Sequence, residues 1–212
     1  MSETVLYDYW RSSASYRVRI ALNVAEIAYR AVPVDLVQGE QRSAVHLARN
    51  PQGFVPVLKI DDLHLTQSLA ILDYLDSTRN LRLLPEGPAE RAKVQALAHA
   101  IAVDLHPVCN LSVAKRATAL SGGADGMPGI WMRDFIRPGL LAFEALLGGF
   151  EQSPYCCGAT PGLADICLMP QLYNARRWEV DISDMPRLLG VEAACKSHPA
   201  FAAAHPEAVR TA

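Results

Sequence analysis

The chain has 212 residues, of which 50% are hydrophobic and 20% are charged, and its formal net charge is -2. This composition is typical of one large or two small globular domains and excludes a disordered chain. Because there is no basic excess to neutralise phosphates, we expect no nucleic-acid partner. No uninterrupted apolar run approaches the roughly 20 residues of a membrane-spanning helix, so we expect no membrane association either.

The N-terminal segment and the cysteines indicate the cellular compartment in which we expect the protein. The segment Met-Ser-Glu-Thr has neither the basic start nor the apolar stretch of a secretory signal, so we expect a cytoplasmic location. The five cysteines are odd in number and lack CxxC spacing, which argues against a disulfide framework or a zinc site, and we expect no metal. They are predicted to be inert, small buried side chains. The five are Cys109, Cys156, Cys157, Cys167 and Cys195.

The first 80 residues alternate strand and helix patterns. A β-favouring run at residues 5–9 leads through a serine-rich turn into a helical pattern at residues 16–24. A second strand is predicted at residues 29–36, followed by a polar helix at residues 40–49 that Pro51 must end.

A hairpin and a third helix complete this half. Residues 55–60 and 63–65 flank an Asp61-Asp62 turn, which is typical of a hairpin, and Ser68 begins a helix. The order is therefore β-α-β-α-β-β-α. Strands joined by a helical crossover are expected to be parallel and the hairpin strands antiparallel, which predicts an α/β domain.

The second half is predicted to be all-helical. Residues 81–88, rich in proline and glycine, are predicted to link a domain at residues 1–80 to one at residues 89–212. Pro107 is expected to break or kink one of its helices and Pro138 to kink another. The predicted helices are 88–106, 109–120, 130–147, 163–173 and 187–197, with a flexible loop at 121–129.

A serine turn at residues 12–15 (SSAS) is the first feature that points to chemistry, because it opens a helix directly after a strand. Free backbone N–H groups and the positive end of the helix dipole collect there, and they would stabilise an anion or a thiolate. Arg11 and Arg17 add positive charge nearby. Serine is also a common capping residue, so helix capping alone is the alternative.

Two further features point to a small-molecule site. Pro56 follows Val55 at the head of a strand, where a cis bond would aim the Val55 backbone at a peptide-like ligand, and an ordinary edge proline is the alternative. Gln67 and Ser68 stand at another helix start, which suits a carboxylate, although an exposed cap is again the alternative.

Further short motifs continue through both halves of the chain. They are YWRSSASYRVRIAL at 9–22, NPQGFVP at 50–56, QSLAI at 67–71, LHPVCNLS at 105–112, LAD at 163–165 and PQ at 170–171. Together they strongly resemble the zeta-class glutathione transferases over essentially the whole chain. The resemblance implies a thioredoxin-like α/β N-terminal domain, an all-α C-terminal domain, a homodimer, and glutathione bound between the domains as cofactor.

The resemblance also implies a set of site residues. By motif, Ser12, Ser13 and Arg11 would be catalytic. Val55 would pair with the cysteinyl backbone of glutathione, with Pro56 cis. The residues implied to bind the cofactor are Ser12, Ala14, Arg17, Gln41, Val55, Pro56, Gln67, Ser68, His106 and Asn110.

The activity that the resemblance implies is glutathione-dependent cis–trans isomerisation of a maleyl keto-diacid, maleylacetoacetate or maleylpyruvate, to its fumaryl isomer in aromatic catabolism. A thiolate can add to a maleyl carbon, allow rotation about the resulting single bond, and leave again. Arg11 and Arg176 are expected to bind the substrate carboxylates, since a guanidinium meets a carboxylate bidentately. Whether Arg176 or another arginine holds the distal carboxylate is left open, because a charge at a helix C-terminus is an alternative for Arg176.

Two positions depart from the pattern of the class. Ala14 stands where many members have cysteine, which disfavours reductive dehalogenation but leaves isomerisation possible, since the reacting sulfur belongs to glutathione. Gly162 replaces the usual Ser or Thr helix cap and is a tolerable substitute. The alternatives for function are a broader transferase acting on α-haloacids and a non-catalytic glutathione-binding protein.

Overall fold

A computed structural model describes residues 3–210 of the chain; Met1 and Ser2 of the N-terminal segment, and Thr211 and Ala212 of the predicted C-terminal domain, lie outside the described residues. The described chain forms two compact units. Residues 3–82 and 198–210 belong to the first, and Leu83–Ser197 forms the second.

A four-stranded mixed sheet organises the first unit. Its strands are Val5–Asp8 (β1), Arg30–Pro33 (β2), Val57–Ile60 (β3) and Leu63–Thr66 (β4), in the spatial order β2-β1-β3-β4. β1 and β2 are parallel, whereas β3 is antiparallel to both β1 and β4. The predicted crossover and hairpin are thereby confirmed.

The helices of the first unit lie between and after these strands. They are α1 (Ser13–Val24), α2 (Ala44–Leu47) and α3 (Ser68–Arg79), with α10 (Pro199–Ala204) and α11 (Pro206–Val209) late in the chain. α1 packs against both α3 and α10. The side chains that fill this core include Leu6, Ile20, Leu22, Leu58, Ile71 and Leu72.

One prediction in this unit is wrong. The continuous helix expected at residues 40–49 is a 3-10 turn, Glu40–Arg42, followed by the short helix α2. The break falls at Ser43, which is extended (φ -64°, ψ 149°) and whose Oγ accepts a hydrogen bond from the His46 N–H at 3.2 Å. A serine that caps a helix ends the preceding turn at the same residue.

The segment from residue 198 packs with the first unit, whereas the sequence grouped it with the second domain. Asn23 Nδ2 donates to the Ala200 carbonyl at 3.0 Å, and Arg19 Nε donates to the Ala204 carbonyl at 3.0 Å. Phe201 is buried in the same unit. These partners are up to 185 positions apart in sequence, so local periodicity carries no sign of them.

The second unit is helical throughout its regular structure, as predicted, but its boundaries differ. The predicted break or kink at Pro107 falls at residues 109–110: the first helix reaches Val108 through a π-helical segment, Ala100–Leu105, and is bent by 41° from Leu111–Leu120. A proline has no N–H to donate, and a widened turn lets a helix pass such a position. The elements are α4 (Pro88–His99), α5 (His106–Val108), α6 (Leu111–Leu120), α7 (Met127–Leu147), α8 (Leu163–Arg177) and α9 (Pro186–Ser197).

The five cysteines are free thiols, and all except the half-buried Cys157 are buried. Burial raises the pKa of Cys109 to about 12, and burial with the nearby Asp165 carboxylate raises that of Cys157 to about 12. Such thiols are protonated at neutral pH and are poor nucleophiles, in agreement with the prediction that they are inert.

Among residues 3–210, no single helix is long and apolar enough to cross a bilayer. The bent pair Pro88–Val108 and Leu111–Leu120 has, taken together, the length and composition that a crossing requires. Over this range, no cluster of three or more histidine, cysteine or acidic side chains could hold a metal ion.

Candidate functional site

The serine turn forms the N-terminus of α1. Ser12 is the N-cap residue (φ -67°, ψ 121°), and its Oγ accepts a hydrogen bond from the Ser15 N–H at 3.2 Å. Accepting uses a lone pair, so the Ser12 hydroxyl proton can still be donated. The N–H groups of Ser13 and Ala14 have no acceptor within the helix, because they belong to its first turn. This half-buried helix start therefore presents a hydroxyl donor and two amide donors, which would stabilise a thiolate.

Arg17 connects this helix start to the next candidate motif. Its guanidinium is buried, with 2% of the residue exposed, and Nη1 donates to Ser68 Oγ at 3.1 Å. Ser68 is the first residue of α3 and lies 51 positions further along the chain. Two motifs that the sequence identified separately are thus brought together over one buried positive charge.

Gln67 precedes α3 in an unusual backbone conformation. Its φ of 66° and ψ of 109° lie outside the left-handed helical region, which is costly for a residue with a Cβ. The side chain is exposed, and Nε2 donates to Gln52 Oε1 at 2.8 Å. Such strain, held in place by the surrounding contacts, is typical of a ligand-binding position.

The loop before β3 contains the Val55–Pro56 motif. The bond between these residues is cis, as the resemblance implied. Val55 stands ahead of β3, so its N–H and C=O are outside the strand ladder, which begins at Val57. Buried Asn50 fixes the loop by donating from Nδ2 to the Phe54 carbonyl at 3.0 Å.

Gln41 lies in the 3-10 turn that packs against this loop. Its Oε1 is buried and accepts no hydrogen bond within the described part of the chain. Gly53, with φ of 65°, allows the close approach, since a Cβ there would lie 3.0 Å from the Gln41 carbonyl oxygen. A buried amide oxygen without a donor suits the N–H of a ligand.

Arg11 and Arg19 both contact the segment just before the serine turn. Arg11 lies over the Trp10 ring, with Cζ 4.8 Å from the centroid. Arg19, which sequence reasoning did not select, donates to both Asp8 carboxylate oxygens at 2.8 and 2.7 Å and to the Trp10 carbonyl at 2.9 Å. The only signal for Arg19 was a charged residue inside an otherwise apolar helical pattern.

The second unit contains the remaining candidates. His106 begins α5 and is half-buried. Asn110 caps α6, and its Oδ1 accepts from the Ser112 N–H at 3.0 Å and from Ser112 Oγ at 2.9 Å. The Asn110 oxygen is therefore used in capping, and its amide N–H groups are the part suited to a ligand.

Arg176 lies in the last turn of α8 and is already paired. Its Nη2 is 2.7 Å from Glu192 Oε2, and Lys196 Nζ is 2.8 Å from Glu192 Oε1. Burial alone would raise the pKa of Glu192, but hydrogen bonds from Arg176 and Lys196 outweigh it and leave the pKa lowered. The ionised carboxylate therefore competes with any substrate for the Arg176 guanidinium.

Comparison with known proteins defines the class. Residues 2–77 match the family described as glutathione S-transferase, N-terminal domain. A mixed four-stranded sheet with helices, followed by an all-helical portion, is the glutathione transferase fold.

The similarity extends over the whole chain. It is 54% identical over 207 residues to the maleylacetoacetate isomerase of Rhizobium meliloti (strain 1021), covering 97% of each chain. The holo structure of maleyl pyruvate isomerase, a bacterial zeta-class glutathione S-transferase, has a TM-score of 0.93 and 36% identity over 96% of this chain and 97% of that one. The maleylacetoacetate isomerase from Methylobacterium extorquens AM1, with bound malonate and GSH, has a TM-score of 0.92 and 37% identity over 97% of this chain and 98% of that one. The chain belongs to the maleylacetoacetate isomerase family, within the zeta class of glutathione transferases.

Proposed function

We propose that this protein is a glutathione-dependent cis–trans isomerase that converts a maleyl keto-diacid, maleylacetoacetate or maleylpyruvate, to its fumaryl isomer in aromatic catabolism. The family membership supports this function. The observation that carries it in the structure is the Arg17–Ser68 hydrogen bond, which brings the helix starts of α1 and α3 together over one buried positive charge.

The residues of the first unit fit glutathione as the cofactor. Ser12 and the α1 N–H groups would hold its sulfur, Val55 its cysteinyl backbone, and Gln67 with Ser68 its γ-glutamyl carboxylate. The buried, donor-less Oε1 of Gln41 fits an amide N–H of the same tripeptide. When bound, glutathione would supply the thiolate that adds to the maleyl double bond and is later expelled.

The protein's task at the sulfur is to keep it ionised. A free thiol has a pKa of about 8.5, so at neutral pH most of it is protonated. The Ser12 hydroxyl donates to the anionic form, and the positive end of α1 and the nearby Arg11 charge favour it further. No thiol of the protein is needed at Ala14 for this role.

The substrate is an anion at both ends and needs cationic partners. Arg11, next to Ser12, would bind one of the two substrate carboxylates. Arg176 is a candidate for the distal carboxylate, although its pairing with Glu192 must then be shared or broken. On the strength of the class, His106 and Asn110 are further candidates for binding the cofactor.

Product analysis tests the proposal. Maleylpyruvate, maleylacetoacetate or maleylacetone, incubated with the protein and a catalytic amount of glutathione, should give the fumaryl isomer while total glutathione stays constant. Stoichiometric loss of glutathione without isomerisation would instead indicate the transferase alternative, which would conjugate or dehalogenate α-haloacids. Glutathione binding without turnover of either kind would indicate a binding protein.

We further propose that the protein is a cytoplasmic homodimer, on the strength of its class. Sedimentation equilibrium should give twice the mass of 23.1 kDa. A monomer at micromolar concentration would contradict this.

A further inference from the structure

Two guanidinium groups lie over one aromatic ring in the first unit. Arg11 Cζ is 4.8 Å and Arg210 Cζ is 4.9 Å from the centroid of Trp10. Because both lie within 5 Å of the same point, the two charges are no more than about 10 Å apart. Like charges near one another repel, so their joint positive field favours an anion beside them.

The charges around the ring are poorly neutralised. Arg11 Nη2 donates to the neutral Tyr9 hydroxyl at 3.0 Å, and no carboxylate of residues 3–210 lies within ion-pair distance of Arg11. Arg210 has Glu207 for a partner, at the long distance of 3.8 Å, and 59% of its side chain is exposed. Within residues 3–210, Glu207 is therefore the one carboxylate that forms an ion pair with either guanidinium.

The position of Arg210 follows from the way its segment is anchored. Arg19 donates to the Trp10 carbonyl at 2.9 Å and to the Ala204 carbonyl at 3.0 Å, so one side chain holds both segments. His205 also meets the Tyr16 ring edge-on, with centroids 6.1 Å apart. These contacts hold the segment that carries Arg210 beside Trp10. Trp10 itself lies two residues before Ser12.

We propose that Arg210 and Arg11 form an anion site at Trp10 that binds the substrate carboxylate remote from the reacting double bond. This rests on the proposed isomerase function and makes Arg210 a specificity-determining residue. It also assigns the distal carboxylate to Arg210 in preference to Arg176, because the Glu192 carboxylate already occupies Arg176.

The first test compares a diacid substrate with one that lacks the second carboxylate, under saturating glutathione. For Arg210→Ala we expect the KM for maleylpyruvate to rise roughly tenfold, with kcat unchanged and the KM for the monoacid maleylacetone unaltered. Arg210→Lys, which keeps the charge, should have a KM for maleylpyruvate between those of the unaltered protein and of Arg210→Ala. Arg30→Ala removes a positive charge from the exposed strand β2 and should change neither KM.

The outcomes separate a binding role from a structural one. An equal KM rise for both substrates would show that Arg210 only supports the fold, and unchanged constants would show that it has no role; either result overturns the proposal. A selective rise for maleylpyruvate in Arg176→Ala, with none in Arg210→Ala, would overturn it in favour of Arg176.

A binding measurement keeps the inference separate from the proposed activity. Malonate, titrated calorimetrically into the glutathione-loaded protein, should bind several-fold more weakly to Arg210→Ala than to the Arg30→Ala control. Loss of affinity confined to Arg210→Ala would support the anion site even if the protein isomerised nothing. No binding of malonate to the unaltered protein, or equal binding to both variants, would overturn it.

Discussion

Arg17 and Arg19 are buried arginines on α1, and each ties the start of that helix to a segment far away in the sequence. Arg17 reaches Ser68 at the start of α3, and Arg19 reaches Asp8, Trp10 and Ala204. A buried guanidinium is costly unless its donors and its charge are matched. Arg19 meets this requirement through Asp8 and the two carbonyls, so its side chain determines which segments meet there.

We expect Arg19→Met to lower the free energy of unfolding by about 3–5 kcal/mol, because it leaves the Asp8 carboxylate buried without its partner. Urea unfolding measures this. Arg30→Met, which removes the exposed pair with Glu3, is the matched control and should change stability little. Similar losses in the two variants would mean that the Arg19 pair contributes no more than a surface ion pair.

Ser12→Ala should slow isomerisation at neutral pH by about tenfold or more, since the sulfur loses its hydroxyl donor. The pH–rate profile should shift to higher pH, and the dissociation constant of glutathione should rise at pH values where the bound thiol is ionised, since the thiolate is the form that the hydroxyl stabilises. Losing the cap should also cost about 1 kcal/mol of stability, which thermal unfolding measures.

Ser12→Thr keeps a hydroxyl and should restore both the rate and the cap. A normal pH–rate profile in Ser12→Ala would show that the N-terminus of α1 ionises the thiol without the hydroxyl.

The sequence identified Ser12, Val55 and Gln67 because each has a local cue: a cap, a proline in a strand, a polar residue before a helix. Arg19 and Arg210 have no such cue. Their roles depend on a segment that returns from the far end of the sequence, and no pattern within a dozen residues contains that information.

At the scale of the element, the start of α3 stores strain at Gln67. Gln67→Gly and Gln67→Ala both remove the hydrogen bond to Gln52, but only glycine relaxes the positive φ. The glycine variant should therefore be more stable than the alanine variant by about 1 kcal/mol in urea unfolding. Equal stabilities would mean that the surrounding contacts, and not the positive φ of residue 67, determine the free energy of unfolding of the two variants.

Calorimetry on the same two variants separates the contributions to cofactor binding. If the Gln67 side chain binds glutathione, both variants should lose affinity by the same factor. Unchanged affinity in both would assign that role to the backbone N–H groups of α3.

The start of α8 predicts a pH effect. Asp165 accepts from the N–H groups of Gly162 at 2.8 Å and Cys156 at 2.9 Å, but burial outweighs these bonds and raises its pKa. The folded protein therefore holds the Asp165 proton to higher pH than the unfolded chain, whose carboxyl has a pKa of about 3.9. Stability due to this group is then full below that pH and is lost as the pH rises through the folded pKa.

Comparison with Asp165→Asn isolates this effect from the other carboxyl groups. The unfolding free energy of the unaltered protein minus that of the variant should fall as the pH is raised above about 4. Chemical denaturation across that range measures the difference, and a difference that grew with pH would contradict the raised pKa.

The bounds of elements with a clear helical spacing of apolar residues, such as α1, α3 and α8, were predicted to within a few residues. The hairpin was predicted as well, because the Asp61-Asp62 turn has a local signature. The predicted helix at residues 40–49 was wrong because its composition could not reveal that Ser43 would cap a new turn. The break or kink predicted at Pro107 lies two residues further on, since a π-helical segment lets the helix pass the proline.

At the scale of the whole molecule, the first unit is built from two stretches of sequence separated by the second unit. Ending the chain after Ser197 should expose Arg19 and Asn23, whose acceptors are the Ala204 and Ala200 carbonyls. We expect the amide hydrogens of α1 to exchange faster and the affinity for glutathione to fall. The amides of α8, in the second unit, serve as the internal control and should keep their protection, and unchanged exchange in α1 would show that the returning segment is dispensable.

The returning segment also bears on how the protein is made. Synthesis proceeds from the N-terminus, and domains generally fold as they emerge from the ribosome. Here the sheet, α1 and α3 emerge first, yet Arg19 gains its acceptor on Ala204 only after all of Leu83–Ser197 has been translated. A nascent or prematurely terminated chain would therefore carry every motif of the glutathione site without the contacts that fix it. Competence to bind the cofactor would thus report that translation has passed Ala204.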